Sequence, residues 1–130
     1  MICPCHSHKP YASCCAPYHR SRNAPTPLAL MRSRYSAYAL GNAEYIIATT
    51  HPDHPDSAIP LSERRKHIKH FCRATTFKDL EILDATDTTV TFKATLLHNN
   101  QDASYIEKSA FAQLNNRWLY VCALELKTNS

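Results

Sequence analysis

Between Pro27 and Ala74 apolar residues recur at helical spacing, and beyond Thr75 they alternate with polar ones. Leu28, Met31, Tyr35 and Tyr38 form one stripe of a helix predicted over 27–40, with Arg34 beside it. Thr26 suits the N-cap, and Pro27 suits the first helical position, where its missing N–H has no partner to lose. Gly41 suits the left-handed residue that closes such a helix. Asn42 caps a second helix through Tyr45, Ile46 and Ile47 to Thr50. The His51-Pro52 step ends it, because a residue before proline is pushed out of the helical region. After a loop holding Pro52, Pro55 and Pro60, a third helix runs from Ser62 to about Ala74. Leu61, Ile68, Phe71 and Cys72 are expected to face inward, and Arg64, Arg65, Lys66, Lys69 and Arg73 mostly outward as a solvated basic surface.

Alternation beyond Thr75 predicts strands at 77–84, 88–98, 103–114 and 117–126. Val90, Phe92, Ala94 and Leu96 share one face of the second strand, and Thr89, Thr91, Lys93 and Thr95 the other. Asn99-Asn100 and Asn115-Asn116 supply residues that tolerate positive φ at antiparallel connections. Helices followed by hairpin-linked strands make an α+β domain rather than a parallel α/β one.

The first twenty residues follow neither period, and their sizeable apolar groups are Ile2, Tyr11 and Tyr18. They carry instead Cys3, Cys5, Cys14 and Cys15, four soft ligands close enough in sequence to wrap one tetrahedral Zn2+. Adjacent Cys14 and Cys15 do not readily bond to each other, and a Cys3–Cys5 bridge would be strained. Disulfides across the two pairs are the competing arrangement. The opening residues show neither the basic nor the apolar stretch of a secretory leader, so the reading is a cytoplasmic protein with reduced thiols, which favours metal. His6, His8 and His19 are rival ligands, but four cysteines already complete the site, and these histidines are expected to be solvated or merely supporting. A closed set of four leaves no open position for catalysis at the ion.

Charge adds one point. The formal net charge is +4, and no acid precedes Glu44, whereas Lys9, Arg20, Arg22, Arg32 and Arg34 do. Four thiolates around Zn2+ carry a formal charge of about −2, which these cations would stabilise. The excess is too small, and aromatic-basic stacking motifs too absent, to favour nucleic acid as a partner. No apolar run approaches the roughly 20 residues of a membrane span. One glycine against eight prolines excludes flexible glycine linkers, and Asn23-Ala24-Pro25-Thr26-Pro27 reads as a short stiff joint.

Cys-Pro-Cys-x-Ser-x-Lys-x-Tyr-x-x-Cys-Cys at 3–15 resembles the SEC-C motif, the zinc-binding tail module of the SecA translocation ATPase. Residues Pro25 to Tyr38, His51-Pro52 and Arg117-Trp118-Leu119-Tyr120-Val121 resemble the YchJ-like proteins of bacteria, and the resemblance covers essentially the whole chain. It implies a SEC-C module over 1–22 joined to a nuclear transport factor 2-like cone over 23–130, a curved antiparallel sheet of about four strands wrapped around helices. It also implies bound zinc and, by analogy with the SecA tail, a protein partner for the module. The family has no established activity. Two departures stand out: the family usually has glycines where this chain has His6 and His8, and the second SEC-C motif that ends some members is absent here.

A cone of this kind often holds a pocket, and the residues expected to line it are Arg34, Tyr35, Tyr38, His51, Trp118 and Tyr120, suited to a small acidic ligand or to acid-base work. The plainer reading makes the aromatic residues core. An arginine bordering an apolar stripe needs oxygen partners, for which Glu107 or Asp79 are the candidates. Cys72 and Cys122 read as small core hydrophobes. No nucleophile-base pair or phosphate loop is recognisable, so an enzyme assignment would rest on fold analogy alone. The leading expectation is a zinc protein whose SEC-C-like module binds a protein partner. The alternative is a small-molecule binder or enzyme using the cone. Such sheets often pair into homodimers.

Overall fold

The computed structural model describes residues 1–128. Helices α1 (Ala16–Ser21), α2 (Pro27–Leu40), α3 (Ala43–Ala48) and α4 (Leu61–Ala74) precede strands β1 (Thr75–Ala85), β2 (Thr89–His98), β3 (Gln101–Asp102), β4 (Tyr105–Leu114) and β5 (Arg117–Thr128). The order across the antiparallel sheet is β1-β2-β4-β5, with the two-residue β3 paired to β2.

Local chemistry sets the helix ends. Thr26 Oγ1 accepts from Ala29 N at 3.1 Å, and Asn42 Oδ1 from Tyr45 N at 3.1 Å. Gly41 closes α2 at φ +74 with nothing within 4 Å of an added Cβ, so backbone angle rather than space demands glycine there. Asn99 and Asn100 (φ 52 and 64) and Asn115 and Asn116 (φ 53 and 62) form two-residue turns with both residues left-handed. This geometry matches the strands' own twist. The segment read as one strand over 103–114 starts at Tyr105, because Asn99-Asn100 first turns the chain into β3.

Register shifts in β1–β2 and β4–β5 bend the sheet. Its concave face presents Val90, Phe92, Ala94 and Leu96, all buried, to Leu30, Met31 and Tyr35 of α2 and Ile46 of α3. The second helix stops at Ala48, short of Thr50, because the next residues pair with β5: Tyr120 N donates to Thr49 O and His51 N to Tyr120 O, each at 2.8 Å. Arg117 clamps this corner through Ala48 O at 2.9 Å and Arg22 O at 3.1 Å.

Helix α4 corrects one expectation. Leu61 is 56% exposed and Arg64 only 8%. Arg64, Ile68 and Phe71 lie at i, i+4 and i+7, so one stripe faces the cone, and its first turn overhangs the core edge where Leu61 finds nothing to pack against. Cys72 and Cys122 are only half-buried.

Candidate functional site

The opening residues fold into a knuckle. Ile2 bridges Pro10, Cys3 N donates to Lys9 O at 2.8 Å, and Tyr11 N to Met1 O at 2.9 Å. The turn between holds His6 and His8 at φ 61 and 69, a region that glycine enters freely and other residues at a cost. A 3-10 turn at Tyr11–Ser13 then delivers Cys14 and Cys15 to the mouth of α1.

The four sulfurs lie within 4.8 Å of one another. Cys5 and Cys14 are 3.6 Å apart and Cys14 and Cys15 3.9 Å. Four thiolates at about 2.3 Å around one ion sit about 3.8 Å from each other, so the spacing fits a shared metal. A disulfide needs about 2.05 Å. Cys3, Cys5 and Cys15 are buried, Tyr11 and Cys14 are the apolar neighbours packed on them, and Ser7 Oγ lies 3.2 Å from Cys14 Sγ. Hydrogen bonding from Cys15 holds the Cys5 thiol well below its ordinary range.

None of the three rival histidines joins this cluster. His19 accepts from Tyr11 OH at 2.7 Å through Nδ1, donates from Nε2 to Ser33 O of α2 at 2.8 Å, and packs its ring on Tyr45. It is a latch between knuckle and cone, neither solvated nor a ligand. His6 packs edge-on against Tyr35 and places Nε2 3.4 Å from Phe77 O. Arg32 of α2 donates to Cys5 O at 3.0 Å, bringing one of the expected cations to the sulfur cluster.

The left-handed histidines give a direct test. His8 is exposed, so His8→Gly should stabilise the chain by about 0.5–1 kcal/mol in chemical denaturation. His6→Gly also removes the ring contact on Tyr35 and should gain little. Equal gains at the two positions would deny His6 a packing role.

A cavity of about 320 Å3 opens between the helices and the concave sheet. Met31, Arg34, Tyr35 and Tyr38 line it from α2, and His67, Ile68 and Phe71 from α4. Phe77, Phe92 and Leu96 come from β1 and β2, and Tyr105, Glu107, Ser109, Phe111 and Tyr120 from β4 and β5. A second cavity of about 280 Å3 shares Arg34, Tyr38, His67, Ile68 and Tyr120 with it and adds Ile46, Thr50, His54, Asp56, Ile59 and Arg64.

Arg34 pairs with neither expected carboxylate. Its Nη1 donates to Thr49 Oγ1 at 2.8 Å and to Ile46 O and Thr50 Oγ1 at 3.2 Å, and its guanidinium lies 4.8 Å from the Tyr120 ring centroid. The C-terminal end of α3 gathers two threonine hydroxyls and the Ile46 carbonyl, and α2 carries Arg34 to them. Glu107 instead accepts from Ser109 OH and, at 2.9 Å, from Tyr120 OH. Asp79 offers its backbone oxygen to Tyr35 OH at 2.9 Å. Burial pushes the phenols of Tyr35, Tyr38, Tyr105 and Tyr120 above their ordinary range, aided at Tyr120 by the Glu107 charge, so these hydroxyls are donors rather than bases near neutrality.

Of the residues expected at the pocket, Arg34, Tyr35, Tyr38 and Tyr120 meet there, and His51 and Trp118 do not. His51 Nδ1 accepts from Asp53 N at 3.0 Å in its own turn, and Trp118, two residues nearer the β4–β5 hairpin, packs against the core. Sequence reading passed over Tyr105, Ser109 and Phe111 and saw Glu107 only as a structural partner. Their signal was the period-two run Tyr105, Glu107, Ser109, Phe111 along β4.

Comparison with known proteins places these features in a family context. Residues 26–123 match the family described as the YchJ middle, NTF2-like domain. A UPF0225 protein of Deinococcus radiodurans is 41% identical over 125 residues, covering 95% of this chain and 88% of that protein. One from Sodalis glossinidius is 39% identical over 128 residues, covering 92% and 80%. The solution structure of a SEC-C motif containing protein from Rhodopseudomonas palustris aligns over 100% of both chains with 32% identity and a TM-score of 0.77. The crystal structure of one from Psychrobacter arcticus gives 25% and 0.72, covering 94% of this chain and 81% of that one.

Proposed function

The chain belongs to the YchJ-like, UPF0225 family, and on that premise we propose that it is a zinc-stapled small-molecule-binding protein whose metal is structural and whose cone cavity holds the ligand. The observation that carries this reading is the 320 Å3 cavity, apolar on most sides, with Arg34, Glu107 and Tyr120 converging on it. Its size and lining fall in the range of small-molecule sites, roughly 300–1,000 Å3. Cys3, Cys5, Cys14 and Cys15 would hold the zinc, and the bound ion supplies a cross-link among them. Knuckle residues then brace α2 through Arg32 and His19, and α2 carries Arg34, Tyr35 and Tyr38 into the cavity. A reducing cytoplasm suits such thiols. No helix among the described residues is long and apolar enough to cross a membrane.

A thermal-shift screen of the zinc-loaded chain against acidic and aromatic metabolites tests the reading. A ligand at 100 times its Kd adds about 2.7 kcal/mol to stability. No shift from either class would refute the cavity's role.

One observation favours a second reading, in which the knuckle captures a protein partner. Met1 and Ile2 are 75% and 63% exposed on a surface that also carries exposed Lys9 and Arg20. Loss of partner capture by Cys14→Ser with the cone still folded is then expected, and undiminished capture rules it out.

A further inference from the structure

Arg64 presents an anomaly that packing does not resolve. Its residue is 8% exposed, its Nε is buried without a hydrogen-bond partner, and no ion pair or side-chain hydrogen bond involves it among the described residues. Its Nε is a buried donor without an acceptor, a state that native structures rarely leave unexplained. It lines the 280 Å3 cavity together with Arg34, whose hydrogen bonds all leave from Nη1. Two arginines therefore border one space, and neither hydrogen-bonds a carboxylate among the described residues. Asp56 also borders it, but its side chain is 64% exposed and lies 3.9 Å from His54 Nδ1. A ligand anion in that space would give Arg64 the acceptor it lacks and Arg34 a charged one.

The adjoining cavity has the opposite character. Phe71, Phe92, Leu96 and Phe111 give it apolar walls, and its carboxylate is Glu107, held by Ser109 and Tyr120. An anionic head would meet Glu107 there and be repelled, whereas an apolar body would fit.

Resting on the cavity reading above, we propose that the two spaces form one site for an amphipathic small molecule, with a carboxylate or phosphate head held by Arg64 and Arg34 and an apolar body among the phenylalanines. Arg64 lines only the smaller space and Glu107 only the larger one, so the charges also fix which end of the ligand lies in which.

Titration of the zinc-loaded full chain with octanoate, octyl phosphate and neutral octanamide, followed by calorimetry, tests this. Either anion should bind about tenfold or more tightly than the amide, since charge-assisted hydrogen bonds are roughly twice as strong as neutral ones. The tighter of the two anions names the head group. Arg64→Gln should weaken the anions far more than the amide and so remove most of that advantage, and Arg65→Gln, beside it but half-exposed and paired with Glu44, should keep it. If Arg64→Gln does not fold, the comparison of anion with amide in the unaltered chain, together with Arg64→Lys, still decides. Equal binding of anions and amide would overturn the anion subsite and leave the cavity reading standing. An anion advantage that survives Arg64→Gln would overturn the role of Arg64, and no binding by any of the three would overturn both proposals.

Discussion

Stripping the proposed zinc with a strong chelator, or replacing Cys14 by serine, is expected to melt the opening fifteen or so residues while the sheet stays folded. The knuckle's buried residues are Cys3, Cys5 and Cys15, and its large apolar residue Ile2 is 63% exposed, so it has almost no hydrophobic mass of its own. A structural zinc contributes about 10–16 kcal/mol to such a segment, far more than its backbone hydrogen bonds at about 1 kcal/mol each. The cone core of Leu30, Val90, Phe92 and Leu96 is a separate cluster and does not touch the sulfurs. Amide spectra should therefore lose the dispersed signals of the first fifteen or so residues and keep those of β1 to β5, with a lower melting temperature as α2 loses its brace. An opening segment equally ordered without metal, or a sheet that unfolds with it, would contradict this division.

Replacing His19 by alanine is expected to cost about 2–4 kcal/mol in denaturant unfolding, the sum of a lost buried ring and two hydrogen bonds. Its two nitrogens join Tyr11 of the knuckle to Ser33 of α2. The same residue sets a pH dependence. Burial holds its imidazole below the ordinary range. The unfolded chain therefore takes up the proton first, near pH 6.5. The contribution is complete above about pH 6.5 and is lost as the pH falls from there toward the folded value. A His19→Gln chain lacks this titration, so the stability difference between the two should shrink as the solution is acidified through that window. A difference independent of pH would mean that the imidazole is not kept neutral by the fold.

Secondary structure was largely legible because it is written in short-range terms. Thr26, Gly41 and Asn42 declare the ends of α2 and the start of α3, and the two Asn-Asn pairs declare hairpins, through rotations confined to a few bonds. Arg64 was misread because a charged residue was assigned outward by its type, although its spacing from Ile68 and Phe71 put it on the inward stripe. His51 and Trp118 stand apart from the cavity, Trp118 as the core residue of the plainer reading, for another reason. Their positions depend on how the end of α3 docks beside β5, a contact across some 70 residues that no local pattern encodes.

By itself, the sequence determined the element order, the turns and the four clustered sulfurs, since each follows from neighbours within about fifteen positions. Only the tertiary structure decided that His19 is a latch, that Arg34 answers to helix-end oxygens instead of a carboxylate, and that Arg64 shares a space with it. Those outcomes depend on the distance between groups far apart in the chain, and burial, which turns an ordinary arginine into an unpaired cation, exists only once α2, α4 and the sheet have closed around it.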